Sequence, residues 1–223
     1  LKMHGGIKKD DLGSENVDAV ILGCKNLERH IENIGKFGVP VIVAINDYVS
    51  DTEREHAAII DYCQNIGVQC KISSHWEKGG KGAADLAEEV AKIADSNSAE
   101  FKTLYDNKMS LWDKTQYIAQ NIYGAAEIIA DKKIRNQFQK LEDDGFGEYP
   151  ICMAKTQYSF STDPLLMGAP SGHDVPIKEV RLSAGAEFVV VVCGEVMTMP
   201  GLPRIPASEN IDVDNNGLIQ GLF

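Results

Sequence analysis

The 223-residue sequence lacks several patterns that would disclose a function directly. Its five cysteines form no CxxC pair, so neither a zinc site nor a disulfide framework is indicated. No apolar run approaches the roughly 20 residues of a membrane-spanning helix, and no signal peptide opens the chain. Basic residues form no run longer than two and the net charge is -11, so neither nucleic acid nor a membrane is expected as a partner.

Motifs for several kinds of catalysis are missing as well. The Walker pattern GxxxxGK[ST] does not occur, so the sequence contains no complete phosphate-binding loop. No two histidines have the HxxxH spacing of a helical metal site. His30 and His56 are expected to face solvent on helices, and no metal site is predicted. Because no Ser-His-Asp or Cys-His arrangement can be argued either, covalent hydrolysis is not favoured.

The residues that are present suit a soluble globular protein. Hydrophobic residues make up 43% of the chain, which is enough to build one large domain or two smaller ones. The cysteines lie within or beside apolar runs, so we expect them to act as small buried hydrophobic residues. Free thiols are typical of a reducing cytoplasm, which is the expected location. They are Cys24, Cys63, Cys70, Cys152 and Cys193.

The first hundred residues have the pattern of an α/β core. Hydrophobic spacing predicts helical structure over residues 14–37, with Ser14 as the cap and Gly23 as a break between two helices. The apolar runs 41–45 and 68–73 are typical of strands buried in a parallel sheet. Two successive strand-helix units therefore predict a three-layer α/β core with a mainly parallel sheet.

The ends of these elements carry further signals. Asp51 or Thr52 can cap the helix that follows the first strand. The opening segment LKMHGG has the pattern of a strand end that enters a glycine turn, so the chain is expected to begin inside a larger protein.

Beyond residue 100 the pattern changes. Helices are predicted at 110–122 and 131–143, with a short apolar piece at 125–130 between them. Strands are predicted for ICMA after Pro150 and for residues 186–199, separated by a long loop rich in glycine, proline and serine. We expect residues 1–100 to form the core and residues 101–223 a smaller α/β domain.

Polar and aromatic residues at strand ends are the candidate ligand contacts. Tyr48 and Trp76 follow the two predicted parallel strands, so both rings would emerge at one carboxyl edge and a flat ring could lie between them. Spacing alone favours the simpler interpretation, in which the two rings only cover the top of the core. Lys155 follows ICMA and could meet a phosphate or carboxylate, or lie exposed at the strand end. The turns GAPSGH (168–173) and MTMPGLP (197–203) could form pocket walls.

Taken together, a series of segments resembles one enzyme family over nearly all of the chain. The segments are LKMHGG, NLERHIENI with FGVPVIVAIN, DTE, HWEKGGKG, IYGA, ICMAKTQYSFS, GAPSGH, SAGAEF and MTMPGLP. Their residues and their order along the chain closely resemble formate–tetrahydrofolate ligase, also called 10-formyltetrahydrofolate synthetase. Tyr48 stands where members of that family often carry phenylalanine, a departure that keeps the ring and adds a hydroxyl.

The resemblance implies an enzyme that joins formate to tetrahydrofolate with MgATP, through a formyl phosphate that a folate nitrogen attacks. It implies that the α/β core is of the P-loop type and that Tyr48 and Trp76 hold the pteridine ring, beside Asn46. It also implies that the loop matching GAPSG lies near the adenine, with contacts from Ala169, Pro170 and Ser171, and it makes Lys155 a further candidate nucleotide contact. ATP, Mg²⁺, tetrahydrofolate as substrate and a monovalent cation are the expected ligands, and a homo-oligomer is the expected assembly.

The same resemblance implies that the glycine-rich ATP loop belongs to an N-terminal half that this chain lacks. Three hypotheses follow. The chain is the folate side of an enzyme that is active only with its other half, or a binding module that retains a folate pocket without chemistry, or a fragment that serves dimerisation. A Walker-type loop encoded upstream of Leu1 would favour the first hypothesis.

Overall fold

The computed structural model describes residues 1–196, 204–215 and 217–221. It is a mixed α/β structure in which three of the strand pairings are parallel, so the predicted fold class is confirmed. The three-layer arrangement, its P-loop type and the domain boundary at residue 100 stay predictions. No helix of the described residues is long and apolar enough to cross a membrane.

The first region contains two parallel strands between helices. Its elements are a 3₁₀ helix at Lys2–Gly5, α1 (Val17–Gly35), β1 (Ile42–Asn46), α2 (Glu53–Asn65), β2 (Gln69–Ser73), α3 (His75–Lys78) and α4 (Ala84–Asp95). β1 and β2 pair in parallel from Ile42 beside Gln69 to Asn46 beside Ser73, as the two strand-helix units predicted. The two carboxyl ends therefore lie side by side.

Helix α1 corrects three predictions for the beginning of the chain. It runs through Gly23 without a break, and a Cβ at Gly23 would lie 2.2 Å from the Leu1 carbonyl oxygen, so glycine allows close packing here. Its N-cap is Asn16, whose side chain accepts from the Ala19 N–H, and Ser14 does not cap it. Residues 2–5 form a 3₁₀ helix against α1 where a strand end was predicted.

Helix α2 begins as the sequence predicted. The Thr52 hydroxyl accepts from the Glu55 N–H at 3.3 Å, and the Glu55 carboxylate accepts from the Thr52 N–H at 3.4 Å, which is a capping box. Glu55 is 2% exposed and also pairs with Lys2, at 3.0 Å between Oε1 and Nζ. This buried pair fixes the 3₁₀ helix to α2.

The second region is built on a four-stranded mixed sheet. Its elements are α5 (Leu111–Asn121), β3 (Glu127–Ile129), α6 (Lys132–Leu141), β4 (Ile151–Ala154), β5 (Asp174–Ser183) and β6 (Phe188–Cys193). The strand order is β3-β5-β6-β4, with only the central β5–β6 pair antiparallel in this sheet. A short hairpin follows, formed by β7 (Asp212–Val213) and β8 (Ile219–Gln220).

Strand β5 was not predicted from the sequence. Pro176 and a register shift between Ile177 and Glu179 interrupt the alternation of apolar and polar residues that would have revealed it. The predicted strand 186–199 is observed as Phe188–Cys193, and residues 197–199 lie outside the described part of the chain. The turn MTMPGLP at 197–203 lies outside it too.

Burial corrects two expectations about single side chains. Cys24, Cys63 and Cys193 are buried and all five cysteines are free thiols, but Cys152 is exposed, because the residues of β4 alternate between the two faces of the sheet. His30 is exposed as expected, whereas the His56 side chain is only 12% exposed.

Candidate functional site

Two exposed rings follow the ends of the parallel strands. Tyr48 lies two residues beyond Asn46, which ends β1, and Trp76 lies three residues beyond Ser73, which ends β2. Tyr48 is 59% exposed and Trp76 is 75% exposed, so neither ring is buried by the described residues. Both emerge at the carboxyl edge of the sheet, where α/β proteins bind ligands.

A cavity of about 600 Å³ lies along β1 next to this edge. The consecutive residues 43–46 all line it, so it follows the edge of the strand and not one face. Tyr48 lines it as well, together with Leu1, Lys2 and Met3 from the beginning of the chain. The lining is largely apolar and includes Asn46, as a site for a flat ring with polar edges requires.

The turn that carries Tyr48 is closed by Asp51 and faces His56. The Tyr48 N–H donates to Asp51 Oδ2 at 3.1 Å, and the Asp51 N–H donates to the Tyr48 carbonyl at 2.8 Å. His56 Nε2 lies 3.3 Å from Asp47 Oδ1 and 4.0 Å from Asp51 Oδ2. The prediction that His56 faces solvent is therefore wrong, because the first turns of α2 pack against this turn.

A second cavity, of about 350 Å³, is polar and lies beside β4. Lys155 and the segment 156–160 line one side, and His4, Asn26, His30 and Tyr123 line the other. The His30 ring packs on Phe160 with a centroid distance of 4.7 Å.

The Lys155 side chain holds its own loop together. Its ammonium donates to the carbonyl oxygens of Thr156 at 3.0 Å, Ser159, and Ser161 at 3.3 Å, and it lies 4.8 Å from the centroid of the Tyr123 ring. The hydrogen bonds of the ammonium therefore go mainly to the loop 156–161. Lys155 thus shapes the part of this loop that lines the cavity and gives it a positive charge.

The loop 168–173 is anchored from both regions of the molecule. The Gly168 carbonyl accepts from Asn26 Nδ2 at 2.9 Å, and the Gly168 N–H donates to His4 Nδ1 at 3.2 Å. The Gly172 N–H donates to the Gly124 carbonyl at 2.8 Å. Between these anchors, Ala169 and Pro170 are half-buried and Ser171 is exposed.

One turn of helix separates the two cavities. Leu1, Lys2 and Met3 line the first cavity, whereas the next residue, His4, lines the second and holds the loop 168–173. The first cavity, which Tyr48 lines and Trp76 does not, and the polar cavity are thus neighbours across the 3₁₀ helix Lys2–Gly5. No residue of the loop 168–173 is part of the lining of the polar cavity. The structure brings Asn46 and Tyr48 to one side of this helix, and Lys155 and the loop 168–173 to the other.

The environment of the second cavity disfavours the protonated forms of its basic side chains. Burial lowers the pKa of His4, and burial together with the charge of Lys155 lowers the pKa of His30. Burial also lowers the pKa of Lys155 to about 8. An anion placed among these groups would raise all three pKa values, because it stabilises their protonated forms. In a protein of net charge -11, this is a local site suited to an anion.

Sequence reasoning missed several residues of these cavities. His4, Asn26, His30 and Tyr123 come together only because α1 packs against the loops that follow α5 and β4. Asp47 could have been found from the sequence, because it directly follows the end of β1. His56 could not, because its position beside Asp47 depends on how α2 packs.

Comparison with known proteins identifies the family. A family model described as formate–tetrahydrofolate ligase matches residues 1–223. The chain is 55% identical to the formate–tetrahydrofolate ligase of Pelagibacter ubique, 57% to that of Granulibacter bethesdensis and 58% to that of Roseobacter denitrificans. Each match covers 100% of this chain but only 39–40% of the relative, so the chain spans about 40% of the length of these relatives. The expected resemblance is confirmed over the whole sequence, and the chain belongs to the formate–tetrahydrofolate ligase family.

Proposed function

We propose that this chain supplies the folate side, and part of the nucleotide pocket, of an ATP-dependent ligase that forms 10-formyltetrahydrofolate from formate and tetrahydrofolate. The observation that carries the proposal is the pair of exposed rings, Tyr48 and Trp76, at the carboxyl edge of two adjacent parallel strands. The carboxyl edge of a parallel sheet is where α/β proteins bind ligands, and two exposed rings there offer a stacking surface for a flat ligand. The match to ligases named for formate and tetrahydrofolate supports the choice of a pteridine as that ligand.

Tyr48 and Trp76 would bind and orient the acceptor. A pteridine stacked on the two rings is desolvated on both faces, and Asn46 at the strand end can hydrogen-bond to its polar edge. Orientation matters because the attacking folate nitrogen must meet the formyl carbon in one geometry, and such positioning can supply much of a rate enhancement.

The second cavity would accept part of the nucleotide. Ala169, Pro170 and Ser171 lie in the anchored loop, which His4 holds by accepting the Gly168 N–H at Nδ1. Lys155 and His30 line the cavity, and a phosphate would stabilise their protonated forms. None of the residues that line this cavity carries a carboxylate, so they fit the phosphates better than Mg²⁺. When bound with the nucleotide, Mg²⁺ would neutralise phosphate charge. Lys155 would act here by holding the loop 156–161.

Folate binding is the first test. Replacing Trp112 with phenylalanine would leave Trp76 as the single tryptophan, because the chain has only two. Titration of this variant with tetrahydrofolate should quench its fluorescence in a saturable manner. Tight binding to a Trp76→Ala variant, measured by calorimetry, would contradict the assignment of the ring.

Catalysis is the second test. Phosphoryl transfer depends on a phosphate-cradling loop, and these 223 residues contain no Walker pattern. We therefore expect no 10-formyltetrahydrofolate from formate and ATP with this chain alone, and turnover when the remaining part of the ligase is added. Product should be measured with each part alone and with both. Turnover by this chain alone would show that the ATP site is misplaced, and inactivity of a folded mixture would favour the binding module.

A further inference from the structure

We propose that Asp47, Asp51 and His56 form a binding site for a divalent first-row transition metal ion. One carboxylate oxygen from each aspartate and a ring nitrogen of His56 lie within 4.8 Å of one another. Imidazole and carboxylate are the ligands that Zn²⁺, Fe²⁺ and Mn²⁺ use in proteins, and three such ligands leave coordination positions open for water.

The shortest of the observed separations matches that of two ligands on one ion. Bonds of about 2.1 Å place neighbouring ligand atoms roughly 3.0 to 3.4 Å apart, at octahedral and tetrahedral angles respectively. His56 Nε2 and Asp47 Oδ1 are 3.3 Å apart. Asp51 Oδ2 is 4.0 Å from the same nitrogen, and all three ligand atoms lie within 4.8 Å of one another, so an ion would draw the carboxylates closer together.

The second, independent observation is that His56 Nε2 lacks a hydrogen-bond partner in the part of the chain that the structure describes. This atom is enclosed by the protein and has no hydrogen-bond partner among the described residues. The Asp47 carboxylate is close enough for an electrostatic contact, but the ring is not aligned for a hydrogen bond to it. A buried polar atom without a partner is unfavourable, and a metal ion bound to its lone pair would remove that cost.

The charges around the cluster also favour a cation. With a neutral imidazole, the three side chains carry two negative charges. The nearby basic groups of this surface are already paired, Lys2 with Glu55 at 3.0 Å and Arg54 with Glu15 at 2.7 Å. The imidazole ligand disfavours Mg²⁺, which prefers oxygen ligands in near-ideal octahedral geometry.

The site would connect metal binding to the position of Tyr48. Asp47 precedes Tyr48, and Asp51 accepts a hydrogen bond from its backbone N–H at 3.1 Å. An ion held by both aspartates would therefore fix the turn that presents the ring. This consequence, but not the metal site itself, rests on the proposed folate function.

Cobalt titration tests the site directly. Co²⁺ should be added to the nucleotide-free protein, expressed together with any sequence that adjoins these residues in the natural protein. Binding is followed by visible absorption and by the NMR resonances of the His56 imidazole. We expect one saturable Co²⁺ per chain, with the His56 resonances affected first. Asp47→Asn and His56→Gln should each weaken binding at least about tenfold. Asp61→Asn, at an exposed carboxylate on the same helix, is the matched control and should leave it unchanged.

Each outcome decides the inference. Lack of saturable binding, or unchanged affinity in a folded Asp47→Asn variant, would overturn it. If His56→Gln fails to fold by circular dichroism, Asp47→Asn decides, because asparagine keeps the shape and removes the charge. An excess of Mg²⁺ that displaces Co²⁺ would also contradict the site. Failure of tetrahydrofolate binding in metal-loaded protein would instead contradict the proposed function and leave the metal site intact.

Discussion

The two regions of this protein differ in how much core they have and in what they expose. In residues 1–95 the buried apolar cluster has six members, Val20, Cys24, Val43, Ile45, Ile59 and Cys63, around two strands. In residues 111–193 the corresponding cluster has twelve members around a four-stranded sheet, with Val175, Val189 and Val191 fully buried. The exposed rings Tyr48 and Trp76 lie on the first region. The side chains that we propose to bind folate therefore belong to the region with the smaller core. The region with the larger core carries the loops 155–161 and 168–173.

The smaller core should depend most strongly on its buried ion pair. Glu55→Ala removes the partner of Lys2 and the acceptor for the Asn16 N–H, at 2.8 Å, so it should destabilise the protein by about 3–5 kcal/mol. The exposed Glu88→Ala should change stability by less than about 0.5 kcal/mol. Urea unfolding measures both. Equal effects of the two variants would contradict the dependence on this pair.

The same pair predicts a pH dependence. Burial raises the pKa of Glu55, but the Asn16 N–H, Lys2 and the Thr52 N–H lower it more, so the net pKa is below the ordinary value of 4.5. The stability that Glu55 contributes is therefore complete above that value and is lost as the pH falls through the lowered pKa. Glu55→Gln should flatten the acid limb of a plot of stability against pH.

The larger core should lose somewhat less stability when its fully buried lysine, Lys114, is replaced. The Lys114 ammonium donates to the Gly147 carbonyl at 2.6 Å and to the Tyr149 carbonyl at 3.1 Å. Lys114→Met keeps the apolar stem but leaves both carbonyls unpaired, so it should cost about 2–4 kcal/mol in urea unfolding. Lys140→Met, at an exposed lysine paired with Asp144 on the helix surface, is the matched control and should cost less than about 0.5 kcal/mol.

At the ligand edge the comparison predicts a change in affinity without a change in stability. Trp76→Ala should weaken tetrahydrofolate binding by about 1–3 kcal/mol, from lost stacking and apolar contact, and leave unfolding nearly unchanged because the ring is exposed. Tyr48→Phe keeps the ring and should change little. Calorimetry with each folded variant decides, and wild-type affinity in Trp76→Ala would end the assignment.

The smallest expected effect concerns the polar cavity between the regions. Because burial and Lys155 lower the pKa of His30, a bound phosphate should raise it and take up a proton. Nucleotide affinity should therefore rise by about two- to five-fold from pH 8 to pH 6, and His30→Gln should reduce that rise. Affinity that falls on acidification would contradict an anion site here.

Much of the fold could be predicted from the sequence, because the signals are local. The β-branched run 41–45 predicted β1, and the polar residues after it predicted a cap for α2 at Asp51 or Thr52, of which Thr52 is the observed cap. The positions of Tyr48 and Trp76 followed from the strand ends, since parallel strands share a carboxyl edge. Strand β5 was missed because Pro176 and a bulge disturb its alternation, and Gly23 was misread because glycine serves close packing as well as helix breaks.

By itself the sequence determined the family, the parallel strand-helix units and the residue types at each strand end, because these depend on neighbouring residues and their order. Only the tertiary structure decided which distant residues meet. His4 reaches the loop at Gly168, Lys2 pairs with Glu55, and His56 turns toward Asp47, through packing between elements far apart in the chain or across a turn. Such contacts have no periodic signal in a sequence, because they depend on how helices are placed against a sheet and on which buried charges find partners there.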